Sequence, residues 1–193
     1  MRSVASASGS SVISSAKRLF ICVIFAYINF LVSYYVGEPV KTFFTSLLTG
    51  VKFLNVPFAG LVVVEGALYV FLISLSYRIA GSPYGIVTAV LTISFFLLMG
   101  PWCGVLKPFY FSIFGFLSFI LMGVLVERVN GGVANLAFGL VNWCAATVCS
   151  VSEVAPLGVI VFGICAFGTG LAADYAARGI AKLVGEPLAR LLD

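Results

Sequence analysis

Residues 58–78 read FAGLVVVEGALYVFLISLSYR, twenty-one residues in which the only charges before the closing Arg78 belong to Glu65. A run of about 18 or more apolar residues is the signature of a helix that crosses a bilayer. A carboxylate at bilayer depth costs a few kcal/mol even on lenient insertion scales, so it faces a bundle interior or water and marks function more often than packing. The stretch therefore predicts a spanning helix with one functional acid near its middle.

The rest of the chain has the same character. Of 193 residues, 62% are hydrophobic and 9% charged, with a mean hydropathy of +1.17. Soluble domains carry about 25% charged residues. Six apolar runs follow: Leu19–Val36, Val56–Tyr77, Gly85–Met99, Pro108–Val126, Gly132–Val148 and Pro156–Ala173, the last continuing amphipathically to Val184. No long period-2 alternation exists, which disfavours a barrel. The expected fold is an all-α integral membrane protein, a compact bundle of six transmembrane helices, each satisfying its own backbone. Residues 1–18 read as a disordered, Ser-rich cytoplasmic tail, 19–184 as the membrane domain and 185–193 as a second cytoplasmic tail. The first run follows Lys17 and Arg18 but lacks an Ala-x-Ala pattern, so it reads as a span and not a cleaved signal.

Charge sets the expected orientation. With the N-terminus inside, the inner segments hold Arg2, Lys17, Arg18, Arg78, Arg128, Arg178, Lys182 and Arg190, and the outer ones Lys41, Lys52 and Lys107. Eight against three places both termini in the cytoplasm. The net charge of +4 is thus a topology signal, and without a basic stripe it implies no nucleic-acid partner. Five cysteines in no C-x-x-C pattern, and no histidine, leave too few ligands for a zinc site. No metal or other cofactor is expected. Residues 37–55, with Lys41, Lys52 and Pro39, read as an outer loop with a short interfacial or re-entrant helix. No internal repeat is visible, which argues against inverted-repeat transporters.

Helical spacing groups small and polar residues on shared faces. Cys22, Ala26, Asn29 and Ser33 form one stripe; Glu65, Tyr69, Leu72 and Ser76 a second; Asn135, Gly139, Asn142 and Ala146 a third. Facing one another, they either pack helices closely or line a cavity. The outer ends add Trp102, Tyr110 and Trp143, and Glu153 in the last outer loop. Aromatic walls with a few polar groups are the usual make-up of a small-molecule site. Tryptophan and tyrosine also populate membrane interfaces as belts, a reading that stands beside this one for Trp102 and Tyr110. Rings and one carboxylate suit a flat cationic or amino-bearing heterocycle. The candidate ligand residues are Asn29, Glu65, Tyr69, Trp102, Tyr110, Asn142, Trp143 and Glu153. Gly168, Ala172 and Ala176, and Ala166 with Gly170, are small-x-x-x-small patterns. They serve either internal packing or a partner subunit.

The layout of residues 57–104, two apolar runs joined by a short turn and closed by GPWCG, resembles the second and third spans of the substrate-binding S components of energy-coupling factor vitamin importers. The Gly/Ala-rich stretch 164–184, ICAFGTGLAADYAARGIAKLV, is similar to their final helix. Within that family the thiamine-precursor (hydroxymethylpyrimidine) type is the nearest in layout. The resemblance implies capture of a vitamin or precursor from outside, no ATPase within the chain, and association with a transmembrane coupling subunit and cytoplasmic ATPases. It also implies a docking face on the first helix, where this chain has Cys22 and Ala26, with Phe30 interrupting the repeat. Two other classes remain open: a stand-alone small carrier, and a structural or assembly membrane protein. An enzyme is not expected, since histidine, a G-x-S-x-G elbow, a P-loop and paired intramembrane aspartates are all missing.

Overall fold

A computed structural model describes residues 4–48, 54–99, 109–149 and 153–192. Six α-helices follow in order: α1 Val4–Leu48, α2 Gly66–Ala80, α3 Tyr84–Met99, α4 Phe109–Arg128, α5 Gly131–Val148 and α6 Pro156–Leu192. A π-helical turn, Leu61–Glu65, leads into α2. No strand occurs among the described residues. Four segments are long and apolar enough to cross a membrane: Ser15–Phe44, Leu61–Ala80, Gly131–Val148 and Pro156–Val184. The chain is all-helical and compatible with a membrane protein.

Local signals end the helices where expected. Gly81, at φ 85°, stops α2, since only glycine adopts that left-handed backbone without strain. Asn130 caps α5, its side chain accepting from the Val133 N–H at 2.9 Å. The first helix departs from expectation. It runs through Gly37 and Pro39 to Leu48, where a loop with a short interfacial helix was expected. An internal proline removes a single N–H, and apolar surroundings favour keeping every other backbone bond over opening the helix. Helix also takes in most of 1–18 and 185–193, the two stretches read as tails.

Helix α2 is the centre of the bundle. It touches all five others, which surround it in the order α1, α3, α4, α5, α6. The buried core reflects this, with Val62, Tyr69, Val70 and Ile73 packed against Ile93, Phe96, Phe119, Met122, Phe138 and Phe162. Between α5 and α6 the backbones meet directly. A Cβ on Gly131 would lie 2.6 Å from the Gly170 carbonyl oxygen, so both positions need glycine. Gly170 and Ala166 are thereby the internal half of the small-residue pattern on α6. Gly168, Ala172 and Ala176 lie on its exposed side.

The basic residues gather at one end. Cys22 Sγ lies 3.5 Å from both Ser76 Oγ and the Tyr84 carbonyl, which sets the start of the α1 span beside the α2–α3 turn. Glu127, at the end of α4, accepts from Ser82 Oγ at 2.7 Å and from the Ile86 N–H at 3.0 Å. Asp174 of α6 binds Arg78 at the end of α2. Among the residues whose side chains are described, Lys17, Arg18, Arg78, Arg128, Arg178 and Lys182 share this end with Glu127 and Asp174, six cations and two acids.

Candidate functional site

The sequence around Glu65 builds a site at the heart of the bundle. Glu65 closes the π turn, where the Gly66 N–H reaches back to the Leu61 carbonyl. π turns are rare and concentrate at functional sites. Glu65 is 2% exposed. Ser33 Oγ lies 2.5 Å from Glu65 Oε2. Tyr69 Oη, one turn along α2, lies 2.8 Å from the same oxygen and 2.7 Å from Ser33 Oγ. A phenol has one proton, so Tyr69 donates to one of these two acceptors at a time. The three groups form a closed triangle between α1 and α2.

Rings enclose the triangle. Tyr69 packs against Phe119 at 5.1 Å between centroids, Phe138 at 5.9 Å and Phe96 at 6.0 Å. Phe119 and Phe138 meet edge to face at 5.4 Å, a preferred geometry for aromatic pairs. None of these three phenylalanines stands out in the sequence, which has eighteen of them.

Two amide oxygens complete the surroundings. Asn29, one turn before Ser33 on the same face of α1, donates to Thr92 Oγ1 at 3.4 Å, and its Oδ1 is buried without a hydrogen-bond partner. Asn135 on α5 donates to the Ala166 carbonyl at 2.9 Å, and its Oδ1 is also buried and unpartnered. That orientation is set by the Ala166 carbonyl, which only an N–H can meet. Asn135 Oδ1 points at Gly66, next to Glu65; a Cβ on Gly66 would land on it. Buried polar atoms are nearly always paired, so two orphaned acceptors in the core are a distinct feature.

The expected residues divide as follows. Glu65 and Tyr69 come together with Ser33, Asn29 lies one turn from Ser33 and bonds Thr92, and the stripe on α1 does face the stripe on α2. Asn142 is buried, but its amide donates to the Phe138 carbonyl of its own helix at 2.8 Å. Trp143 is buried and its indole N–H donates to the Pro57 carbonyl at 2.9 Å, tying α5 to the segment that precedes the π turn. Glu153 is exposed in the connection before α6 and stands apart from the cluster. Trp102 and the side chain of Tyr110 lie outside the described residues.

The expected docking residues also divide. Cys22 and Ala26 are fully buried against α2 and α3, so they do not offer a docking face; their small size serves internal packing. Gly168, Ala172 and Ala176 are exposed, and a Cβ on Gly168 would meet nothing within 4 Å. A second buried acid lies at the basic end. Asp174 is 1% exposed and accepts from Ser74, Arg78 and Arg178. Its signal was the i, i+4 spacing to Arg178; Ser74 and Arg78 are far away in sequence.

No protein-family model matches the chain, no curated protein matches it, and no solved structure matches it.

Proposed function

We propose that this chain is a membrane-embedded binding protein that holds a small, donor-rich heterocycle at Glu65. In this reading it is the substrate-capturing subunit of an importer of the energy-coupling factor kind, as the resemblance in layout implies. All six helices span the bilayer and both termini are cytoplasmic, the basic end facing inward. The observation that carries the reading is the excess of buried acceptors. The Glu65 carboxylate, Asn29 Oδ1 and Asn135 Oδ1 are all buried, and the two amide oxygens have no donor. An amino-bearing or cationic ring supplies donors to the carboxylate and to Asn135 Oδ1, which lies against the neighbouring Gly66, and meets the aromatic residues around Tyr69. Since the carboxylate is buried, a ligand reaches it when the surrounding helices separate. Energy for uptake comes from partner subunits; the chain itself performs no catalysis.

The test is mass spectrometry of small molecules that co-purify with the detergent-solubilised protein, wild type beside Glu65→Gln and Asn135→Ala. A nitrogen heterocycle on the wild type, lost from Glu65→Gln and weakened in Asn135→Ala, supports the reading. Folded proteins that carry the same molecules in all three forms, or none in any, overturn it.

A second reading is favoured by the Ser33–Glu65–Tyr69 triangle, whose hydrogen bonds join α1 to α2. Here the chain is a structural or assembly protein and Glu65 holds helices together. It predicts that Glu65→Gln loses stability with no change in bound small molecules.

A further inference from the structure

At the opposite end from the 54–60 segment, a cavity of about 680 Å³ opens between the α2–α3 turn and α6. Its walls include Arg78, Arg178 and Lys182, with Tyr77 and Ser82. We propose that this cavity binds a phosphate-bearing anion through Arg78, Arg178 and Lys182.

Asp174 organises the cavity without neutralising it. Arg78 Nη2 and Arg178 Nη2 each lie 2.8 Å from it, on separate carboxylate oxygens. Arg78 Nε also donates to Ser74 at 3.2 Å, and each guanidinium lies near a tyrosine ring, Arg78 at 5.8 Å from Tyr77 and Arg178 at 5.1 Å from Tyr175. Both planes are thus held before any ligand arrives. A guanidinium carries five N–H donors, and one carboxylate engages only part of the ten present here. Arg178 Nε is buried and has no hydrogen-bond partner. Lys182, one turn beyond Arg178 on α6, is exposed. Among the described side chains, three cations against Asp174 leave a local excess of two positive charges, or one when Glu127 across the turn is counted. Glu127 is itself engaged by Ser82 and the Ile86 N–H.

The chemistry fits phosphate more closely than carboxylate. Several tetrahedrally placed acceptors match two forked guanidinium groups and one flexible ammonium. The site lies where the apolar part of α2 ends, at Arg78, the level of lipid headgroups for a bilayer-spanning helix. A phospholipid headgroup and a soluble phosphate ester share this chemistry.

The experiment uses delipidated full-length protein in mild detergent, wild type beside Lys182→Glu and Arg178→Gln. Lys182 is exposed on the helix surface, so its variant guards against loss of the fold. Native mass spectrometry compares phosphatidic acid with diacylglycerol of identical chains, which differs only in the phosphate. In parallel, inorganic phosphate is titrated against thermal unfolding. Retention of phosphatidic acid over diacylglycerol, cut on the order of tenfold by Lys182→Glu, supports the proposal with a lipid source. A phosphate-dependent rise in Tm, lost in Lys182→Glu and without lipid preference, supports it with a soluble source. No phosphate preference in either arm, or a preference that both variants keep in full, overturns it.

Discussion

Ser33 on α1 and Glu65 before α2 stand 32 residues apart in the chain, yet their side-chain oxygens lie 2.5 Å from each other in the core. Tyr69 closes the contact from α2 by reaching both oxygens. The contact therefore fixes both the rotation of α1 about its axis and its register along α2. It also sets the carboxylate at the centre of the bundle, because α2 is the helix that all the others surround.

The triangle is expected to be energetically coupled. In a double-mutant cycle of Ser33→Ala and Glu65→Gln, measured by unfolding in mixed micelles, the interaction energy should be about 0.6–1.7 kcal/mol, the range found for hydrogen bonds between membrane helices. Tyr69→Phe should couple to both. Additive effects of Ser33→Ala and Glu65→Gln would mean that the two do not interact.

Gly66 and Gly168 should respond in opposite ways to alanine. A methyl group at Gly66 collides with Asn135 Oδ1, while at Gly168 it meets open space. Gly66→Ala should destabilise by about 1–3 kcal/mol, because the Asn135 amide must swing aside and give up its hydrogen bond to the Ala166 carbonyl. Gly168→Ala should be neutral, or stabilise by up to about 1 kcal/mol through helix propensity. Thermal unfolding of the two variants side by side checks this.

Asp174→Ala should be the most damaging single change at the basic end. It leaves Arg78 and Arg178 facing each other with their common acceptor gone, and it strands Ser74. Breaking a buried ion pair costs about 3–5 kcal/mol, and the partial exposure of the two arginines (23% and 41%) argues for the lower end of that range. Arg178→Gln should cost clearly less, because Arg78 still holds the carboxylate. Denaturant midpoints of the two variants give the order; the reverse order would contradict the clamp.

Single cysteines at two exposed positions test the proposed topology. In a cysteine-free background, Ser82→Cys lies in the basic-end turn and Glu153→Cys in the connection before α6. An impermeant maleimide added to intact cells should label Glu153→Cys and spare Ser82→Cys until the membrane is opened. Labelling of both from outside, or of Ser82→Cys alone, would reverse or abolish the six-span arrangement.

Much of this was readable residue by residue. The 3.6-residue period put Cys22, Ala26, Asn29 and Ser33 on one face, and all four are buried. The same period put Glu65, Tyr69, Leu72 and Ser76 on the face that meets them. The lone acid within an apolar run is the residue that the fold buries between α1 and α2. Illegible were the π turn, which rests on no particular residue type, and the continuation of α1 past Pro39, where the surroundings outweighed a local breaker. Nor does the sequence reveal that the Trp143 N–H is engaged by the Pro57 carbonyl, 86 residues away.

Composition and helical period are local properties, and they suffice to establish an all-helical chain, the approximate helix bounds, the buried stripes and the singular position of Glu65. Which phenylalanines enclose Tyr69, which asparagine oxygens go unpaired, and how Asp174 comes to bind Ser74 across 100 residues depend on the rotation and register of one helix against another. Those are decided by the packing of whole faces at once. Any single residue contributes too small a part of that sum for its type or spacing to reveal the outcome.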